Sequence, residues 1–153
     1  MHGGQVTTML RRTLVKAALA SGLGLAATGA KASAKPQVVY HLADSGRAAF
    51  VLGNIAHHYE GMGGADSVTI ALVVHGPALE EFLGKRAAQD RSDIAKGFAA
   101  LLRSSLDAYA CVHTMKAMNL TLEDLLPGFK VAEKGGVVRL AELQGQGYAY
   151  LRP

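Results

Sequence analysis

The chain has 153 residues, half of them hydrophobic, a net charge of +4 and a single cysteine. The excess positive charge belongs to residues 1–34, which hold four basic and no acidic side chains, so residues 35–153 carry 12 basic and 12 acidic groups. This balance, without a basic run, excludes a nucleic-acid binder. One cysteine excludes an intramolecular disulfide, and 119 residues suffice for one domain.

Residues 1–34 have the pattern of a cleavable export signal. Arg11, Arg12 and Lys16 form a basic head, Ala17–Ala30 is apolar, and Ala32-Ser33-Ala34 is a cleavage pattern. The paired arginines favour the twin-arginine type, with an ordinary secretory signal as the alternative. A membrane span needs about 20 strongly apolar residues, so we expect no stable membrane insertion after cleavage. We therefore expect a periplasmic or otherwise exported protein.

The first elements of residues 35–153 predict a βαβ unit. Val38–Leu42 and Val68–Val74 are apolar runs typical of strands buried in a parallel sheet. Between them, Arg47–Glu60 has apolar residues at four-residue steps, which predicts a helix. Asp44-Ser45 is its expected N-cap, and Gly61–Gly64 is the turn that ends it. Strand, helix and strand in this order predict parallel pairing.

The rest of the chain continues the alternation of strands and helices. We predict a helix opening at Pro77, a helix from Asp93, a strand Leu106–Cys111, a short helix Met115–Met118, a capped turn Thr121–Leu125, a strand Phe129–Ala132, a helix Val137–Gln144 and a strand Tyr148–Leu151. The predicted fold is α/β, with three layers and a mostly parallel five-stranded sheet covered by helices on both faces. The order of the strands is left open.

Three residues able to do chemistry fall at the predicted carboxyl ends of strands, where open parallel sheets bind ligands. These are His41, His75 and Cys111, and we predict them as the catalytic residues. Cys111 directly precedes a helix, whose free N–H groups favour a thiolate, and His113 lies beside it. The alternatives are a cysteine that only fills the core and histidines that only bond loop carbonyls.

The same three side chains allow a second hypothesis. His41, His75 and Cys111 supply two imidazoles and a thiolate, a ligand set suited to Cu or Zn. A metal-binding module of the cell envelope is therefore an alternative function. A structural subunit of an oligomer, with a buried cysteine, is a third hypothesis.

Four segments together resemble the DsrE/DsrF-like family, in particular its exported branch: Val39–Leu42, Ala71–Gly76, Tyr109–Met115 and Gly136–Leu140. The resemblance implies a YchN-like three-layer α/β fold that assembles into homo- or hetero-trimers and hexamers. It also implies sulfur relay, in which the cysteine matching Cys111 accepts sulfane sulfur as a persulfide and passes it on. His113 departs from the asparagine of many exported members.

Our leading hypothesis from the sequence is therefore a sulfur carrier without a bound cofactor. Cys111 attacks a sulfane-sulfur donor, while His75 and His41 stabilise the anion or shuttle a proton. The partners implied are sulfur donor and acceptor proteins or small persulfides, and further copies of the chain in a trimer or hexamer. The sequence does not decide between carriage and sulfurtransferase turnover.

Overall fold

The computed structural model describes residues 35–87 and 92–153, and the predicted export signal lies outside them. The elements are β1 Gln37–Leu42, α1 Ala48–Gly61, β2 Thr69–Val74, a 3-10 segment Gly76–Phe82, α2 Gly84–Ala87, α3 Ser92–Arg103, β3 Asp107–Cys111, α4 Val112–Ala117, a 3-10 turn Leu122–Asp124, β4 Phe129–Ala132, α5 Gly136–Gly145 and β5 Ala149–Leu151. Within these ranges no helix combines the length and apolarity required to cross a bilayer.

The five strands form one sheet in the order β4-β3-β2-β1-β5, and every pairing between neighbours is parallel. Leu42 lies opposite Val74, and Val74 lies opposite Ala110. The carboxyl ends of β1, β2 and β3 are therefore level at one edge of the sheet. The predicted five-stranded α/β fold is confirmed.

Alternate residues of each strand belong to opposite faces of the sheet, as the two-residue period of a strand requires. On one face, even-numbered strand residues such as Tyr40 and Leu72 pack with α1 and α3 in the larger core cluster. On the other face, Val39, Val73 and Tyr109 pack with α5 in a smaller cluster. The helices thus cover both faces, and α5 is the one described helix that packs in the second cluster.

Two local predictions were wrong. The segment Gly76–Phe82 is a 3-10 helix rather than an α-helix, and the chain leaves it in extended conformation at Leu83. Asp44-Ser45 does not cap α1, whose N-cap is Arg47 and lacks a side-chain cap. The loop is held instead by the Gly46 N–H, which donates to the buried Glu81 carboxylate at 2.6 Å.

Candidate functional site

The three predicted site residues lie at the carboxyl edge of the sheet, on the face that carries α5. His41 is the penultimate residue of β1, His75 follows β2 directly, and Cys111 ends β3. Each of the three lies two positions after a strand residue that packs against α5, namely Val39, Val73 and Tyr109, and so belongs to the same face of the sheet. Adjacent strands therefore bring side chains together that are up to 70 positions apart in sequence.

Cys111 lies where two helices begin. It is the N-cap of α4, is 6% exposed, and its side chain makes no capping hydrogen bond. Burial alone would raise the pKa of Cys111. The backbone N–H groups of Thr114 and Gly136, the Thr114 hydroxyl and the His113 N–H outweigh burial and lower this pKa below its ordinary value. The surroundings of the sulfur therefore favour the thiolate.

Gly136, the first residue of α5, brings that helix close to the sulfur. A Cβ at this position would lie 3.2 Å from the Cβ of His75 and 3.3 Å from the Cβ of Cys111. The preceding Gly135 has a φ of +100°, and a Cβ there would lie 2.7 Å from the His113 ring. The two glycines therefore allow a close approach that side chains at these positions would prevent.

Polar and apolar contacts both hold α5 on the sheet. The Arg139 Nη2 donates to the Tyr109 hydroxyl at 2.7 Å, and the guanidinium lies 4.2 Å from the centre of the same ring. Leu140 and Leu143 are buried one and two turns after the start of the helix. These contacts fix the position from which the Gly136 N–H acts on the sulfur.

His41 and His75 form a hydrogen-bonded pair. Their Nε2 atoms are 2.6 Å apart, and the rings are stacked with centroids 4.7 Å apart. One Nε2 must carry a hydrogen and the other must accept it, because two lone pairs cannot bond to each other. The Nδ1 of His41 in turn pairs with the Tyr150 hydroxyl of β5 at 2.6 Å. A chain of hydrogen bonds thus links Tyr150, His41 and His75.

Both imidazoles are held in the neutral form. Burial, together with His75 and Arg152 and against Asp44, lowers the pKa of His41 to about 4. Burial also lowers the pKa of His75, with help from Arg152 and against Asp44. Neutral rings accept and pass on protons but supply no positive charge, so proton transfer is the role that these histidines support.

The structure places His75 between the other two predicted residues. Its Nε2 faces His41, while its Cβ lies beside Gly136 on the side shared with Cys111. Two ligand nitrogens on one tetrahedral Zn would be about 3.3 Å apart, wider than this pair. Within residues 35–87 and 92–153, no three His, Cys, Asp or Glu side chains are grouped to hold a metal. The Cu or Zn hypothesis stays a prediction without geometric support.

A cavity of about 380 Å³ gives access to the cysteine. Cys111 and His75 line it, together with the polar side chains of His113 and Lys134 and the apolar ones of Val137 and Val138. None of the described side chains that line it is a carboxylate. A small molecule bearing an anionic group therefore meets no like charge on its way to Cys111.

The sequence analysis missed three participants, Thr114, Gly136 and Tyr150. Thr114 follows Cys111 by three positions, the N3 position of a helix whose N-cap is the cysteine. That spacing is the one at which side chains meet at a helix start, so it offered a signal. The Gly135-Gly136 pair before a helix was a weaker signal. Nothing in the sequence indicated Tyr150, because its contact depends on β5 lying beside β1.

Comparisons with known proteins agree with this architecture. The model of the DsrE/DsrF-like family matches residues 38–153. No curated protein matches the chain.

Among solved structures, the protein of unknown function MTH1491 from Methanobacterium thermoautotrophicum is 24% identical, with a TM-score of 0.65 over 77% of this chain and 99% of that one. The ychN protein from E. coli is 13% identical, with a TM-score of 0.59 over 78% and 99% of the two chains. The protein of unknown function BT1422 from Bacteroides thetaiotaomicron is 15% identical, with a TM-score of 0.57 over 80% and 98%. These likenesses show the fold.

Proposed function

The chain belongs to the DsrE/DsrF-like family, and on this basis we propose that it is a sulfur carrier holding sulfane sulfur as a persulfide on Cys111. The family is generally associated with sulfur relay. The observation that carries the proposal is the position of Cys111, whose sulfur lies at the start of α4 and α5 and whose thiolate is favoured by their N–H groups. A thiolate is the form that attacks sulfur.

The proposed transfer is an exchange at sulfur without net oxidation. The Cys111 thiolate attacks the outer sulfur of a donor persulfide, R–S–SH. A bond forms between the Cys111 Sγ and that sulfur, the donor S–S bond breaks, and R–S⁻ leaves. An acceptor thiolate then attacks the outer sulfur of Cys111–S–SH, and the Cys111 thiolate leaves. One cysteine suffices for both steps, which matches the single cysteine of the chain.

His75 and His41 have a proton-handling role in this proposal. Loading requires the Cys111 thiol to lose its proton, and His75, directly after the neighbouring strand, is a base whose neutral form is favoured by burial. His41 bonds to the Nε2 of His75 and thereby controls which ring nitrogen is free to accept. The carrier needs no bound cofactor for these steps.

We also propose where the carrier works and with what. The pattern of residues 1–34 supports carriage outside the cytoplasm, in the periplasm or an equivalent compartment. Val137 and Val138 are 68% and 41% exposed beside the cavity, and such apolar residues suit contact with another protein. A homo-oligomer of three or six copies is part of the proposal, and light scattering on the purified protein tests it.

The experiment that tests the proposal is mass spectrometry of the intact protein. The protein is purified without reductant, exposed to a small persulfide donor, and weighed before and after dithiothreitol treatment. We expect one or more added sulfur atoms that dithiothreitol removes, and none in Cys111→Ser. Sulfur uptake that persists in Cys111→Ser, or no uptake by the unmodified protein, would contradict the proposal.

A matched histidine variant tests the proton-handling role separately. His75→Gln keeps a polar side chain at the end of β2 but removes the ring base. We expect slower loading from pH 6 to 8, with the same final mass. His57→Gln is the control, because His57 is an exposed residue of α1 whose ring nitrogen is 3.5 Å from Glu60.

A further inference from the structure

The hydroxyl of Thr114 bridges the ends of two strands. It accepts a hydrogen bond of 2.9 Å from the backbone N–H of Gly76, the residue after His75. Gly76 has a φ of +60°, and a Cβ there would lie 3.4 Å from the carbonyl oxygen of Ala43. Glycine therefore allows the chain to turn after β2 with its N–H directed at α4.

This bond determines what the hydroxyl can do next. A threonine hydroxyl carries one hydrogen and two lone pairs. Because the Gly76 N–H occupies a lone pair, the hydrogen remains for another acceptor. Cys111 is three residues earlier at the N-cap of α4 and lines the same cavity as Thr114. The Thr114 hydroxyl is also one of the groups that lower the pKa of Cys111.

We propose that Thr114 is a positioning residue whose hydroxyl, oriented by the Gly76 N–H, donates its hydrogen to the Cys111 sulfur during sulfur transfer. The inference rests on the proposed persulfide chemistry of Cys111. A donor at this sulfur stabilises the thiolate that attacks in loading and leaves in discharge. A thiolate stabilised in this way is more abundant at neutral pH and is a better leaving group, but each thiolate is a weaker nucleophile.

These opposite effects give a signature that a merely structural role would not produce. Without the hydroxyl, fewer Cys111 side chains are thiolates at neutral pH, so alkylation there becomes slower. Each thiolate that does form is more basic and hence more reactive. At a pH where both proteins are fully ionised, the variant therefore becomes the faster one, and the two pH profiles cross.

The experiment compares Thr114→Val, which keeps the shape of the side chain, with Thr114→Ser, which keeps the hydroxyl. The rate of iodoacetamide alkylation is measured from pH 5 to 10, and the single cysteine makes the signal unambiguous. We expect Thr114→Val to react about tenfold more slowly at pH 7, the effect of losing a hydrogen bond to a charged group. We also expect the midpoint of the pH profile of alkylation to move to higher pH in Thr114→Val. Thr114→Ser should restore the pH profile of the original protein.

Two controls separate this result from a loss of folding. Thr69→Val removes a hydroxyl at the start of β2, at the opposite edge of the sheet, and is expected to leave the profile unchanged. Circular dichroism checks that each variant is folded. If Thr114→Val does not fold, the alkylation profile of Thr114→Ala is measured in its place. An unchanged profile in a folded variant, or no rescue by Thr114→Ser, overturns the inference. Unfolding of both apolar variants also overturns it, because the role of Thr114 is then structural.

The same proteins distinguish failure of this inference from failure of the proposed function. Alkylation does not require sulfur transfer, so the Thr114 effect can be present in a protein that takes up no persulfide. In that case only the proposed function fails. Normal uptake with unchanged discharge to dithiothreitol in Thr114→Val contradicts the inference and leaves the carrier function intact.

Discussion

The close approach of α5 to Cys111 makes Gly136→Ala the most informative single change. The new Cβ would lie 3.2 Å from the Cβ of His75 and 3.3 Å from the Cβ of Cys111. Carbon atoms in favourable contact are about 3.5–4.0 Å apart, so the separation must increase by roughly 0.2–0.8 Å. Both neighbours lie at the ends of central strands and cannot retreat. The start of α5 therefore moves away, and the Gly136 N–H moves with it.

Gly136→Ala should change both the reactivity of Cys111 and the stability of the protein. Withdrawing the Gly136 N–H removes one of the groups that lower the pKa of Cys111, so this pKa rises. A hydrogen bond contributes about 1 kcal/mol net, which lowers the thiolate fraction at pH 7 about fivefold. Because each remaining thiolate is more nucleophilic, alkylation should slow about two- to threefold. Overpacking costs about 1–3 kcal/mol, while replacing glycine in a helix recovers up to about 1 kcal/mol. A net loss of roughly 0–2 kcal/mol follows from these ranges.

Gly53→Ala is the matched control, since it adds a methyl group inside α1 with no atom within 4 Å. We expect it to stabilise the protein by about 1 kcal/mol in urea denaturation and to leave alkylation unchanged. If folded Gly136→Ala alkylates at the original rate, the Gly136 N–H does not act on the sulfur. The description of Cys111 as a sulfur contacted by the starts of both α4 and α5 would then be wrong.

Three further outcomes are expected. Phe98→Ala should cost about 3–5 kcal/mol in urea denaturation, because Phe98 is 1% exposed and the cavity would remain. Gly128→Ala should also destabilise the protein, since Gly128 has a φ of +110° and the new Cβ would clash with Leu102. A urea midpoint equal to that of the original protein would contradict this expectation. The pKa of His41 is lowered to about 4 on folding, so the unfolded chain binds the extra proton as pH falls from about 6.5. The contribution of neutral His41 to the free energy of unfolding is therefore present above about pH 6.5 and is lost as the pH falls toward 4. His41→Gln should make the urea midpoint less dependent on pH between about 4 and 6.5.

The fold could be predicted because its signals are local. Val68–Val74 is a near-continuous apolar run, and Arg47–Glu60 has one apolar stripe; the structure has β2 and α1 at these places. Their alternation predicts parallel pairing without knowledge of the tertiary structure. The segment that begins at Gly76 was predicted as a helix without its type, because apolar residues at similar spacing fit an α-helix and a 3-10 helix alike.

The site could be predicted only in part. The positions of His41, His75 and Cys111 followed from where the strands end. Their partners did not, because these depend on which strands are neighbours and which way each side chain turns. The Nε2 of His75 faces His41 because β1 lies beside β2, and Tyr150 reaches His41 only because β5 returns to the other side of β1.

The alternation that places His41, His75 and Cys111 on the same face also determines which genetic changes the site tolerates. A substitution in β1 changes one contact, but a one-residue deletion would send His41 into the core under α1 and bring Leu42 to the face of α5. Composition and hydropathy would hardly change. Length changes compatible with the chemistry are therefore those in turns such as Gly61–Gly64, which lies at the opposite edge of the sheet. The register of each strand relative to its neighbours is therefore as important for the proposed site as the identity of the residues in it.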